Sequence, residues 1–264
     1  MTRNTFPSVE FDPAWFEAIP RRVSSRRFDG APVDPVLLDR LDQTRRRLAA
    51  AGTGARPVLL RQAPPQVFAG LIGSYGRIEG APSAIALVGR EAAGREVGYV
   101  GEAVILDATA AGLDTCWLAA AFDAERTGEL VDLGEHERVH AIAALGTAVT
   151  KIGVSERLTR ATLRARSRLP LDKTAPGHEG WPKWAQEAAE AVRLAPTGAN
   201  RQPCRMRMDD GSFVISTVPK AYWTASLDLG IAMLHAEVGA AQAGVRGEWS
   251  VDADEARFAP RATS

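Results

Sequence analysis

Apolar positions along this chain recur at two periods. Leu37, Leu41, Thr44 and Leu48 fall on one face at helical spacing, and the Asp34–Pro35 pair ahead of them joins an N-cap to a proline suited to the first helical position. Asp12–Pro13 repeats that pairing, so helices are predicted to start at both places. Short apolar runs bounded by Pro or Gly, at Val58–Leu60, Ser83–Val88 and Val139–Leu145, read as buried strands. Helices are predicted over Gln66–Ser74, Glu96–Ala111, Asp123–Leu133 and Ser155–Ser167. The stretch DKTAPGHEGWP, from Asp172 to Pro182, breaks the pattern and is the linker candidate. Beyond it the order restarts. A helix over Lys183–Leu194 leads to a hairpin, with Met206 and Met208 before the Asp209-Asp210-Gly211 turn and Phe213–Val218 after it. A long helix over Leu227–Ala243 and a strand over Val245–Val251 follow.

The stretches on either side of the linker look like copies. RLAAAGTGARP (47 to 57) and RLAPTGANRQP (193 to 203) align without a gap. So do GYVGEAVILDATAAGLDTCW (98 to 117) and GIAMLHAEVGAAQAGVRGEW (230 to 249), which share the first Gly, two Ala, the Gly after the helix and the Trp beyond it. Duplication explains both alignments; chance likeness between two Ala-rich helices is the alternative.

Composition narrows the function class. The 264 residues are 45% hydrophobic, enough for one large core or two small ones. Zero net charge removes the electrostatic footprint of a nucleic-acid binder. No apolar run approaches the roughly 18 residues of a membrane span, and the first twenty residues lack the apolar segment of a signal peptide. A cytoplasmic protein with no membrane partner is expected. Cys116 and Cys204 are far apart, match no metal or redox spacing, and are expected to be reduced.

The chemistry concentrates in RRVSSRRF (21 to 28), with four Arg and two Ser just before a Pro-capped helix. Arg grips phosphate through paired charge-assisted hydrogen bonds, and Ser adds a short neutral donor. A solvated basic turn is the alternative. His136, Glu137 and His140 spell HERVH, a formal HExxH zinc match, but His140 lies in a strand-like run and the required helix is lacking. No metal site is expected. His178 lies in the linker and His235 in an apolar helix, where a satisfied core histidine is the commoner outcome. No GxGxxG, Walker or GxSxG string is present.

RRVSSRRF resembles the N-terminal signature of the nitroreductase family, in which an Arg, a Ser two residues on and a basic residue two further hold the FMN phosphate and ribityl chain. The resemblance gives those roles to Arg22, Ser24 and Arg26, with Val23 offering backbone. RLAPTGANRQP resembles the second signature, which packs on the flavin from the partner subunit; it implies contacts from Pro196, Thr197 and Asn200, with Gln202 and Pro203 completing the pattern. GLDTCWLAAAF (112 to 122) is similar to the element whose amides after the Trp approach the isoalloxazine ring, where Ala119 and Ala120 fall. RSRLP (166 to 170) is similar to the basic pair that closes over the phosphate, giving Arg166 and Arg168.

The order of these elements resembles the duplicated TM nitroreductase branch, whose single chain imitates the usual dimer. The implied fold is α+β, three-layered, with a mostly antiparallel sheet flanked by helices and two half-copies about a pseudo-twofold axis. The halves are expected over residues 1–172 and 183–264, joined by 173–182. The implied activity is an FMN-dependent oxidoreductase that uses NAD(P)H to reduce nitroaromatic or quinone-like acceptors in a ping-pong cycle. No catalytic side chain is nominated, because the flavin carries the redox chemistry. Three departures stand out: Ala119 and Ala120 replace glycines, Cys204 replaces a Trp, and the loop in the first half reads AAAGTG. The methyl groups keep open a flavin-sequestering protein without turnover.

Overall fold

The computed structural model describes residues 4–7, 9–69, 77–120, 122–149, 167–218 and 223–261. In chain order they form β1 (Asn4–Phe6), α1 (Ala14–Arg21), α2 (Pro35–Ala50), β2 (Ala55–Leu60), β3 (Ser83–Arg90), α3 (Gly94–Ala110), β4 (Asp114–Leu118), α4 (Ala124–Gly128) and β5 (Glu137–Gly146). The second part holds α5 (Leu171–Thr174), α6 (Lys183–Leu194), β6 (Cys204–Asp209), β7 (Ser212–Thr217), α7 (Ala225–Gln242), β8 (Gly247–Val251) and β9 (Glu255–Pro260). The class is α+β, with the antiparallel strands divided between two sheets. One runs β2-β3-β5-β4 and the other β1-β8-β9-β7-β6. Read from β2 and from β6, the two sheets have the same order: first strand, second, fourth, third. No helix among the described residues is long and apolar enough to cross a membrane.

Helices α3 and α7 are buried along nearly their whole length, as befits helices apolar on every face. Each occupies the same place in its half, between the second and third strands. They touch backbone to backbone. A Cβ added at Gly98 would overlap the Leu227 carbonyl, and one added at Gly230 would overlap the Arg95 carbonyl. Leu227 lies three residues before Gly230, and Arg95 three before Gly98, so the contact is reciprocal. A self-reciprocal contact is what a twofold axis produces. Each helix also carries a buried carboxylate that accepts from the indole of its own half: Trp117 Nε1 donates to Glu102 at 2.7 Å, and Trp249 Nε1 donates to Glu237 at 2.8 Å.

The predicted starts of the first two helices hold. Asp34 Oδ1 accepts from Val36 N, and Asp12 Oδ1 accepts from Ala14 N. On α2 the buried face is Leu38, Leu41, Thr44 and Leu48, with Leu37 only partly covered. Other expectations change. The helix expected over Asp123–Leu133 stops at Gly128, after one turn capped by Asp123. Of Gln66–Ser74, residues 66–68 form part of a 3-10 turn and 70–74 lie outside the described residues. The helix expected over Ser155–Ser167 lies outside them as far as residue 166.

The linker candidate is ordered rather than loose: Thr174 and Ala175 are buried, and Gly177 takes a left-handed turn. The three residues of β1 carry too short a pattern to read, yet they pair with β8, at Phe6↔Trp249, and so complete the far sheet. The chain's first residues therefore complete a sheet otherwise built from residues 204–260.

Gly98→Ala and Gly230→Ala should each lower unfolding free energy by about 1–3 kcal/mol or more, because a methyl forced into a packed backbone contact cannot relax. Gly180→Ala, where nothing lies within 4 Å, should be near neutral. Urea melts of the three variants check this; a neutral Gly98→Ala would contradict the close crossing.

Candidate functional site

The basic turn begins where α1 ends. Arg22 N–H closes the last turn on Ala18 O, and the chain then extends. Its path is set by backbone pairing: Ser24 bridges Thr115 of β4, Ser25 N donates to Thr115 O at 2.9 Å, and Phe28 N donates to Glu79 O at 2.8 Å. Ser25 Oγ also reaches Asp114, whose other oxygen accepts from Ala148 N. The start of the turn, at Ser24 and Ser25, is thus laid along β4, the strand that runs on into Ala119 and Ala120. Ala119 is half-buried and Ala120 exposed.

Arg22 points inward, its side chain 3% exposed. Its Nε lies 3.6 Å from Glu102 Oε1, an attraction without hydrogen-bond geometry, and neither Nε nor Nη1 has a hydrogen-bond partner. Glu102 is already engaged. Oε2 accepts from Trp117, and Oε1 faces His235 Nε2 at 3.0 Å. The other ring nitrogen of His235 lies 2.9 Å from the Ala191 carbonyl, an acceptor, so Nδ1 carries a proton. A second proton must lie between Nε2 and Glu102, which leaves that pair neutral overall, either as an ion pair or as two uncharged groups. The charge on Arg22 therefore stands uncancelled.

Across the division lies the loop after α6. Arg168 Nη1 donates to Asn200 Oδ1 at 2.8 Å, and Asn200 Nδ2 donates to Ser167 O at 3.0 Å. Gln202 Oε1 accepts from Leu169 N, and Gln202 N donates to Thr197 Oγ1. Burial lowers the pKa of Arg168, and the neighbouring charges of Arg22 and Arg193 lower it further. Ala199, Asn200 and Gln202 all hold left-handed φ values near 50°. Such strain at non-glycine residues costs on the order of 1 kcal/mol or more each and collects at ligand-holding loops. Pro196 is buried at the base of the loop.

Of the residues singled out in the sequence, the structure gathers Arg22, Arg168 and Asn200 into one neighbourhood. Thr197 and Pro196 belong to the same loop. Ser24 is held along β4, Arg26 O accepts from Glu79 N at 2.9 Å, Val23 precedes Ser24 in the same turn, and Ala119 and Ala120 are placed by the strand that leads to them. Arg166 lies outside the described residues. Glu102, Trp117, His235 and Asp228 went unread as site residues; for Glu102, His235 and Asp228 the available signal was an ionisable side chain inside an otherwise apolar helix. HERVH is divided between other tasks: Glu137 pairs with Arg56, His140 meets the Arg90 carbonyl, and His136 sits exposed before β5. Both cysteines are free and buried, and burial, then Asp228, pushes the Cys204 thiol up.

The family described as "Putative TM nitroreductase" matches residues 14–240. The chain belongs to that family. A crystal structure described as a putative nitroreductase, from Thermotoga maritima MSB8, superposes with a TM-score of 0.62 at 21% identity, covering 92% of each chain. A nitroreductase family protein from Streptococcus pneumoniae TIGR4 gives a TM-score of 0.45 at 14% identity, over 60% of this chain and 97% of that one. A nitroreductase with bound FMN from Bacteroides fragilis NCTC 9343 gives 0.39 at 15% identity, over 53% of this chain and 91% of that one. No curated protein matches. This TM nitroreductase family member thus has a solved relative with the same fold over nearly its full length.

In this family member the loop is anchored by Asp228, whose Oδ1 accepts from Gly198 N at 3.0 Å while Oδ2 accepts from Thr224 Oγ1. Burial raises its pKa to about 7 against the pull of both hydrogen bonds. The native state thus keeps a proton that an unfolded aspartate gives up above about pH 4. Stability should fall as pH rises from about 4 towards about 7 and then level off. Urea midpoints at pH 5 and pH 8 should differ more for the natural protein than for Asp228→Asn; equal differences would contradict the assignment.

Proposed function

We propose that this chain is an FMN-dependent oxidoreductase with a single flavin site between its halves. The observation that carries the reading is Arg22, a buried guanidinium with hydrogen-bond donors to spare beside a carboxylate already committed elsewhere. Buried charge of this kind is costly unless paired, so the surroundings of Arg22 suit an anion. Arg22 and Arg168 together bring two positive charges, which match the roughly −1.5 to −2 of a phosphate monoester. The residues therefore fit the phosphate of FMN. Ser24, Arg26 and the backbone of Val23 would line the same end, with Arg166 and Arg168 closing over it.

Pro196, Thr197 and Asn200 would meet the flavin from the second half, while the amides at Ala119 and Ala120 would face the ring edge. Preorganised amides stabilise developing negative charge by the logic of an oxyanion hole. Bound FMN would supply electron transfer; the protein supplies position and electrostatics. NAD(P)H would be the donor and a nitroaromatic or quinone the acceptor, a reading that membership in a nitroreductase family supports.

The halves are read as copies of one unit. The matching strand orders and the reciprocal glycines support this. One flavin site follows, because the second half does not repeat what the first provides. Beside β4 lies the basic turn; beside β8, in the equivalent half, lies β1.

The test is a fluorescence titration with FMN, followed by NADH and NADPH oxidation with a quinone or nitroaromatic acceptor. Arg22→Ala should raise the FMN dissociation constant roughly ten- to a hundredfold, as loss of a charge-assisted phosphate contact implies, and Ser24→Ala should raise it less. A natural protein that binds no FMN would overturn the proposal. Binding without turnover would reassign the protein to flavin sequestration.

A further inference from the structure

We propose that His235 and Glu102 are positioning residues that make the site selective for a phosphorylated flavin, by keeping Arg22 from closing on its nearest carboxylate; this rests on the FMN reading above. Glu102 is fully buried on α3, and both of its oxygens are occupied. Trp117 Nε1 holds Oε2 at 2.7 Å, and His235 Nε2 holds Oε1 at 3.0 Å. Arg22 Nε is left at 3.6 Å from that same Oε1. His235 cannot turn away, because Nδ1 is tied to the Ala191 carbonyl and the ring is wholly buried on α7.

Two partners compete here for one carboxyl group, and the imidazole from the second half has taken the oxygen that the guanidinium from the first half would otherwise bind. The outcome is a cation held in place without being satisfied. Were His235 apolar, Oε1 would lose its donor. Arg22 would then swing onto it, because an ion pair at contact in a low-dielectric interior is far stronger than one without hydrogen bonds. A closed Arg22–Glu102 pair would offer phosphate little. The same carboxylate steadies Trp117, two residues before Ala119, so the phosphate end and the ring end of the site share one anchor.

Riboflavin, which lacks the phosphate, separates this role from a merely structural one. Dissociation constants for FMN and riboflavin are measured by fluorescence quenching on the full chain and on two variants. His235→Phe should weaken FMN binding about tenfold while riboflavin shifts less than about twofold, and His235→Gln, whose amide N–H can still donate to Glu102, should stay within about threefold of the natural protein for both. Should His235→Phe not be recovered folded, His235→Leu takes its place. An apolar variant with unchanged FMN affinity, or with equal losses for both flavins, would overturn the inference while leaving the FMN reading intact. Binding of neither flavin by the natural protein would overturn that reading itself.

Discussion

The rest of this structure hangs on the backbone contact between α3 and α7. Two helices that meet at glycines come closer than side chains would allow, and the approach brings buried polar groups from each within reach of the other. Glu102 on α3 finds His235 on α7. Glu237 on α7 finds the hydroxyl of Tyr99 on α3, which donates at 2.7 Å and whose pKa is driven well above the ordinary value by burial and by that carboxylate. Neither carboxylate could sit in an apolar core without these partners, since an unpaired buried charge is among the costliest defects a fold can carry. Separating the helices would therefore expose apolar surface and strand both carboxyl groups.

The two sheets share a strand order, and the chemistry beside them differs. Each half places a helix between its second and third strands, and each strand after that helix offers a Trp to a carboxylate. Around Glu102 the neighbours are Arg22 and the His235 ring; around Glu237 they include Tyr99, whose hydroxyl also meets Val9 N at 3.4 Å. The basic turn lies along β4 only, and at the matching edge the chain has laid down β1.

Much of this could be read from the residues. Helices with clear caps, such as the one behind Asp34, and strands that are short apolar runs emerged within a few positions of their true ends, because local sterics and burial decide them. The motifs RRVSSRRF and RLAPTGANRQP mark the two sides of the proposed site, since Arg-rich turns and Pro-, Gly- and Asn-rich loops have compositional signatures. Pairing across distance stayed hidden. Nothing in three residues at β1 announces a partner some 240 residues away in β8, and no local pattern tells whether Glu102 will meet His235 or water. The single expected sheet became two for the same reason: sheet membership is fixed by the tertiary arrangement of the halves, which periodicity does not encode.

The central claim is that two similar halves hold one flavin between them. The most direct measurement is FMN released per chain by denaturation, quantified by absorbance, on protein reconstituted with excess FMN, freed of unbound flavin and sized by light scattering. One flavin per chain, whatever the size of the assembly, is the predicted result. A ratio near two would show that the matching edge beside β8 still binds, and the asymmetry described here would be wrong.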